Sequence, residues 1–161
     1  MDIYFDLTHK TMREIKFRAK PTTGGYLWSY GNAVIQINGN AYLFEDTDEY
    51  AGVFEGGDPE IIGHFVHGLL EVYPDSIGQY AGLKDRNGKE IYEGDIVKIG
   101  DSMVAEVYWS NEEAQYIAGN DGVELSLNRA YNHDGFGGSA IEIIGNIHNN
   151  KLEDFYNEEI I

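Results

Sequence analysis

Residues 78–99 read GQYAGLKDRNGKEIYEGDIVKI, and this stretch decides the fold. Asn87-Gly88 is the signature of a two-residue type I′ hairpin turn, whose central positions both need positive φ. Lys89-Glu90-Ile91-Tyr92 then starts a returning strand. Glu93-Gly94 breaks it, and Asp95-Ile96-Val97-Lys98-Ile99 leaves the break as a strand rich in β-branched residues. A Gly-Asp pair launching such a strand fits the first long strand of an SH3-like barrel. Gly78 and Gly82 flank Gln79-Tyr80-Ala81 too loosely for a phosphate cradle, and no Gly-Lys-Ser/Thr ending follows, so a structural turn is predicted there.

Downstream, Met103–Trp109, Gln115–Ala118 and Val123–Leu127 read as short strands divided by polar turns, with Val123, Leu125 and Leu127 on one face. Ala140–Ile147 supplies a closing strand in which Gly145 signals a bulge or a close backbone approach. Five strands from Asp95 onward are what a small barrel needs. Upstream, Tyr26–Tyr30 and Ala33–Ile37 read as two strands separated by Gly31-Asn32. Asn38-Gly39 is a second hairpin turn, returning through Ala41–Phe44. The expected fold is therefore mainly β with minor α: an N-terminal β-meander lobe (residues 12–74) joined to a C-terminal SH3-like small barrel (75–150). Residues 1–11, where Ile3, Phe5 and Leu7 alternate with polar neighbours, read as an N-terminal extension. Residues 151–161 read as an acidic tail that Leu152, Phe155 and Tyr156 can dock.

The chain has 161 residues, enough for one domain with a substantial core. It contains no cysteine, which excludes disulfides, thiol catalysis and Cys-based zinc sites. No apolar run reaches membrane-helix length and no signal-peptide pattern opens the sequence, so a cytoplasmic protein without membrane contact is expected. Eleven Lys and Arg against 28 Asp and Glu give a net charge of −17. Binding to a phosphate backbone over any broad surface is disfavoured at that charge. The cations cluster at Lys10, Arg13, Lys16, Arg18 and Lys20. A strand turning Ile15, Phe17 and Ala19 inward would line Lys16, Arg18 and Lys20 along its other face. Such a line can serve as a site for an acidic partner. The preferred readings are a solvated edge that discourages strand pairing, or an internal partner for the protein's own acids.

Candidate sites are few. Asp46 and Asp48, within the acidic run from Glu45 to Glu60, suggest a calcium loop, but the twelve-residue ligand pattern is missing. Pro59, with Asp58 as N-cap, can open a short helix or irregular turn towards Leu70. His64 and His67 would share a face of such a helix and could hold a metal, yet no carboxylate completes the set. His133-Asp134 lies in the glycine-rich run 131–138 with no nucleophile tied to it. A structural role is preferred for His64 and His67, a solvent-facing loop for the acidic run, and His148 carries no motif. No catalytic, cofactor-binding or metal residue is assigned.

The run GQYAGLKDRNGKEIYEGDIVK resembles the signature of the YopX-like family of phage and prophage proteins. Ile15-Lys16-Phe17-Arg18-Ala19 and Ile143-Ile144-Gly145-Asn146-Ile147 agree with it at either end, so the resemblance spans Met12 to about Asn150. Lys20 stands where an aromatic often follows Arg18-Ala19, and Ala81 where Thr is common. The resemblance implies a mostly β, barrel-like fold and frequent self-association, and it brings no catalytic residues.

Three functions are weighed. The first is a phage- or prophage-encoded accessory protein acting by protein–protein contact with a host or phage partner, as a homo-oligomer. The second is an acidic decoy that mimics nucleic acid and occupies a host DNA- or RNA-binding protein. The third is an enzyme or nucleic-acid binder on the barrel. That reading is the weakest, because Tyr108, Trp109 and Tyr116 have few cations beside them.

Overall fold

The computed structural model describes residues 14–23, 27–45, 69–132 and 139–155. Eleven strands are described: β1 (Phe17–Ala19), β2 (Ser29–Ile35), β3 (Ala41–Glu45), β4 (Leu69–Val72), β5 (Gly78–Lys84), β6 (Glu90–Tyr92), β7 (Asp95–Ile99), β8 (Met103–Ser110), β9 (Gln115–Asn120), β10 (Val123–Ser126) and β11 (Ile141–Asn146). One short helix, α1 (Leu127–Tyr131), lies between β10 and β11. The strands form two antiparallel sheets, six-stranded β4-β3-β2-β1-β5-β6 and five-stranded β10-β9-β8-β7-β11. The mainly β expectation holds, and strands do begin at Asp95 and close at Asn146.

The expected closed barrel does not form. β10 and β11 are the two ends of the second sheet and are not paired with each other. Curling occurs in the first sheet instead. The chain just beyond β1 meets the end of β4: Thr22 N–H donates to Glu71 O at 2.9 Å, Tyr73 N–H donates to Lys20 O at 2.9 Å, and one bridge joins Pro21 to Val72. The concave side of that curl holds a small core of Ala19, Ala41, Leu43 and Val72. Small side chains on the inside are what tight curvature requires.

Several local expectations are corrected. Gly78 and Gly82 lie within β5 rather than in a turn, and the β5–β6 register shifts between Tyr80 and Lys84. Gly31-Asn32 does not break β2, which runs straight through it. There the strands approach so closely that a Cβ on Gly31 would sit 1.6 Å from Phe44 O. Leu69 and Leu70 belong to β4, not to a helix end. Leu127 opens α1 instead of extending β10, because Ser126 turns its hydroxyl to accept from Arg129 N–H at 3.3 Å and caps the helix.

Both Asn-Gly hairpins form, but not as type I′ turns. Asn87 and Asn38 keep negative φ, and only Gly88 (φ 80) and Gly39 (φ 90) are left-handed. Each loop therefore has three residues, closed by Asp85 N–H to Lys89 O at 2.7 Å and by Gln36 N–H to Asn40 O at 2.8 Å. Gly145 behaves as its position suggested: the β11–β7 register shifts beside it. A Cβ there would meet Asn150 Oδ1 at 2.7 Å and Phe155 Cζ at 2.9 Å.

The larger core lies on the inner face of the second sheet, where Val97, Ile99, Ala105, Val107, Ala118 and Ile141 pack with Leu127 and Ala130 of α1 and Ile91 of β6. The short turn Leu152–Phe155 approaches β8 over the other face. This docks the start of the acidic tail through half-buried Leu152 and Phe155, whereas Tyr156 lies outside the described residues.

Candidate functional site

Strand β1 is three residues long, yet it carries most of the organised polar chemistry. It is not an edge: it lies between β2 and β5, with Arg18 opposite Tyr30 on one side and Gly78 on the other. The solvated-edge reading of Lys16, Arg18 and Lys20 is thereby overturned. The alternation itself holds at Ala19, which is fully buried, and at half-buried Phe17, but Ile15 is 58% exposed.

Each of the three cations is engaged within the chain. Lys16 Nζ pairs with Glu90 and, at 3.0 Å, with Glu14, and it lies over the Tyr80 ring. Although burial opposes it, these carboxylates hold the Lys16 ammonium above its ordinary pKa. Lys20 Nζ donates to Asn149 Oδ1 at 2.6 Å and reaches His148 O at 3.4 Å. Arg18 crosses from the first sheet to the head of β7 in the second. Its Nη2 lies 2.7 Å from Asp95 Oδ1 and also donates to Glu93 O at 3.2 Å.

The Arg18–Asp95 pair is almost dry, with side chains 5% and 1% exposed. Asp95 Oδ2 accepts from Tyr92 N–H at 2.8 Å. Burial pushes the Asp95 carboxyl above its usual range, and the Arg18 charge works against that rise. The guanidinium is stacked on aromatic faces, 4.4 Å from the Trp28 centroid and 5.1 Å from that of Tyr92. Its Nε is buried without a hydrogen-bond partner. Lys20 reaches the same Trp28 ring, and His148 meets it edge-on at 5.5 Å. Burial first, then Lys20 and Arg18, lowers the His148 pKa below its ordinary value. Tyr92 also packs against Tyr30 and Tyr80. Its hydroxyl donates to Glu90 Oε2 at 2.9 Å, which closes a chain from Lys16 to the joint.

A second buried carboxylate anchors the hairpin that organises the sequence. Asp85 Oδ1 accepts from Asn87 N–H at 2.8 Å and Lys89 N–H at 2.9 Å, and Oδ2 accepts from Ile143 N–H of β11 at 3.1 Å. Burial alone would raise its pKa, but these N–H donors hold it below the usual range. One side chain thus fixes both the turn and its seat against the second sheet.

His64, His67, His133, Asp134 and the run from Asp46 to Glu60 lie outside the described residues, and Glu45 ends β3. Trp109 and Tyr116 are opposite one another on β8 and β9, edge to face at 5.1 Å. Tyr108 turns its hydroxyl to Glu124, and that bond, with burial, pushes its pKa up to about 12. Among the described residues no three His, Asp or Glu side chains converge as metal ligands, and no helix is long and apolar enough to cross a membrane. The sequence reading missed Trp28, Tyr92, Asp95 and His148 as one cluster. Only Asp95 carried a signal, as the carboxylate at the head of a β-branched strand.

The charged groups of this cluster pair with one another at the joint between the sheets, with Arg18 Nε left unpartnered. The chain matches the family model described as YopX protein over residues 16–153. No curated protein matches it. The chain belongs to the YopX family.

Proposed function

We propose that this chain is a non-catalytic accessory protein that works by protein–protein contact and assembles with copies of itself. One observation carries the reading: the cations of β1 are spent inside the fold, while large apolar side chains are left at the surface. Lys16, Arg18 and Lys20 bind the chain's own Glu90, Asp95 and Asn149. Leu27, Ile35 and Ile37 stand exposed. Such a surface favours contact over chemistry. Family membership supports a phage- or prophage-encoded role inside a bacterial host cell. The strand order β10-β9-β8-β7-β11, with a helix before the last strand, supports relating the second sheet to SH3-like barrels. Direct nucleic-acid binding is not part of this reading, since Lys16, Arg18 and Lys20 are engaged within the chain and the net charge is −17.

Light scattering coupled to size exclusion, at low and high salt, tests the proposal. An oligomer that survives high salt is the expected result. A monomer under both conditions overturns self-assembly and leaves the acidic decoy, with a host nucleic-acid-binding protein as partner, as the reading to pursue.

A further inference from the structure

The self-assembly reading names no surface, and the distribution of charge supplies one. No Asp, Glu, Lys or Arg occurs from Pro21 through Phe44, in a chain whose residues are 24% charged. Within that span fall Leu27, Tyr30, Val34, Ile35, Ile37 and Phe44, all exposed. The β2–β3 register sets Val34 opposite Tyr42 and Asn32 opposite Phe44, and β4 sets Leu69 opposite Phe44. These residues share the face of the curled sheet opposite its small core, since Leu43 and Ala33, their chain neighbours, point inward. Val34, Tyr42, Phe44 and Leu69 therefore form a cross-strand apolar patch on that face, bordered on β4 by Glu71 opposite Tyr42, and the hairpin loop adds Ile37, which has no cover at all.

Resting on the self-assembly reading, we propose that the outer face of the β2–β3 hairpin is the homodimer interface and that its occupant is the same face of a second copy. The argument is electrostatic. A two-fold contact sets each patch against itself, so any charged patch meets its own sign. With a net charge of −17, two copies repel over most orientations, and the repulsion is least where the facing surfaces carry no charge. From Pro21 to Phe44 the hairpin carries no charge and its outer face is apolar, with Glu71 only at the β4 border, and low charge and apolar surface are the two properties that self-contact needs together. A foreign partner selected by this acidic protein would more naturally be cationic and would be drawn to the acidic turns instead. Salt is then expected to tighten the dimer by screening the residual repulsion of the two bodies.

The test is sedimentation velocity on the full chain, comparing the unaltered protein with Ile37→Asp, Val34→Asp and, as a control on another surface, Ser102→Asp. Ser102 lies in an exposed turn between β7 and β8. Ile37→Asp is expected to weaken the dimer by about tenfold or more, as loss of an apolar contact plus like-charge repulsion would. Ser102→Asp should leave it unchanged. Because Ile37 is fully exposed, its variant keeps the fold, which far-ultraviolet circular dichroism verifies even if Val34→Asp does not fold. A dimer that persists unchanged in Ile37→Asp overturns this interface but not self-assembly. An unaltered protein that is monomeric overturns both and assigns the hairpin face to a foreign partner.

Discussion

The two sheets solve the same problem with different materials. The second is built around large β-branched side chains, with Ile96, Ile99, Ile117, Ile141, Val97 and Val107 almost completely buried. The first buries Ala19, Ala41, Leu43 and Val72 inside its curl and leaves its outer hairpin uncovered. Burial of a large aliphatic side chain is worth about 1.5–3 kcal/mol and a methyl much less. The second sheet can therefore stand on its own packing. The first depends on its seam with the second, where the Arg18–Asp95 pair joins the apolar packing of Ile91 and the bond from Ile143 N–H to Asp85. Stability and surface availability are divided between the two halves of one chain.

The largest expected effect breaks the seam. Asp95→Ala leaves the Arg18 guanidinium buried without its anion, and breaking such a pair costs about 3–5 kcal/mol. Arg18→Lys should recover only part of an Arg18→Ala loss, since an ammonium lacks both the fork and the flat face set against Trp28 and Tyr92. Native-state hydrogen exchange gives the sharper reading. In Asp95→Ala, amides of β2 and β3 should lose protection while those of β8 and β9 keep more of theirs. Equal loss across both sheets would mean the halves unfold as one unit and would remove the contrast drawn above.

The next effect lies at Asp85, where the organising hairpin meets β11. Asp85→Ala leaves three N–H groups without their acceptor, at a cost of about 2–3 kcal/mol. The folded carboxyl is held below its unfolded value, so its contribution is present above about pH 4 and lost as pH falls through the folded pKa. Chemical denaturation of both proteins across pH 3–7 should show the gap narrowing only at the acid end. A constant gap would show that packing, not the carboxylate's hydrogen bonds, carries the loss.

Much of this architecture is legible in the residues themselves. Asn-Gly pairs mark both hairpins, and the β-branched run after Gly94 marks the strand β7 that lies between β8 and β11 in the second sheet. Gly145 announces the bulge. What the residues do not announce is pairing at long range. The curl of the first sheet depends on Thr22 meeting Glu71, and the seam depends on Arg18 meeting Asp95. Neither contact has a local signature. The type I′ expectation at Asn87-Gly88 fails because the Asp85 side chain satisfies the loop amides, and at the other hairpin Asn38 Oδ1 likewise accepts from Asn40 N–H. The cationic line on β1 was legible as a pattern. Its role depended on what faced it, whereas the absence of charge from Pro21 to Phe44 is legible in the residues alone.

The smallest effect probes the second sheet for an expense that its strong core can absorb. Glu106 on β8 lies opposite Ile96 of β7 and Gly119 of β9. It shares a face with Ile117, and burial pushes its carboxyl above the usual range. A folded pKa above the unfolded one means that the charged form is disfavoured by folding. Wild-type stability should then rise as pH falls through the folded pKa. Glu106→Gln keeps the shape and removes the charge, so it should stabilise the protein by about 1 kcal/mol at pH 7. That gain should shrink as acid protonates the wild-type carboxyl. Thermal melts at pH 7 and pH 4.5 read both the sign and its disappearance. A loss of stability at pH 7 would mean that the carboxylate has a compensating partner, and that the second sheet, like the first, depends on a specific ionic contact.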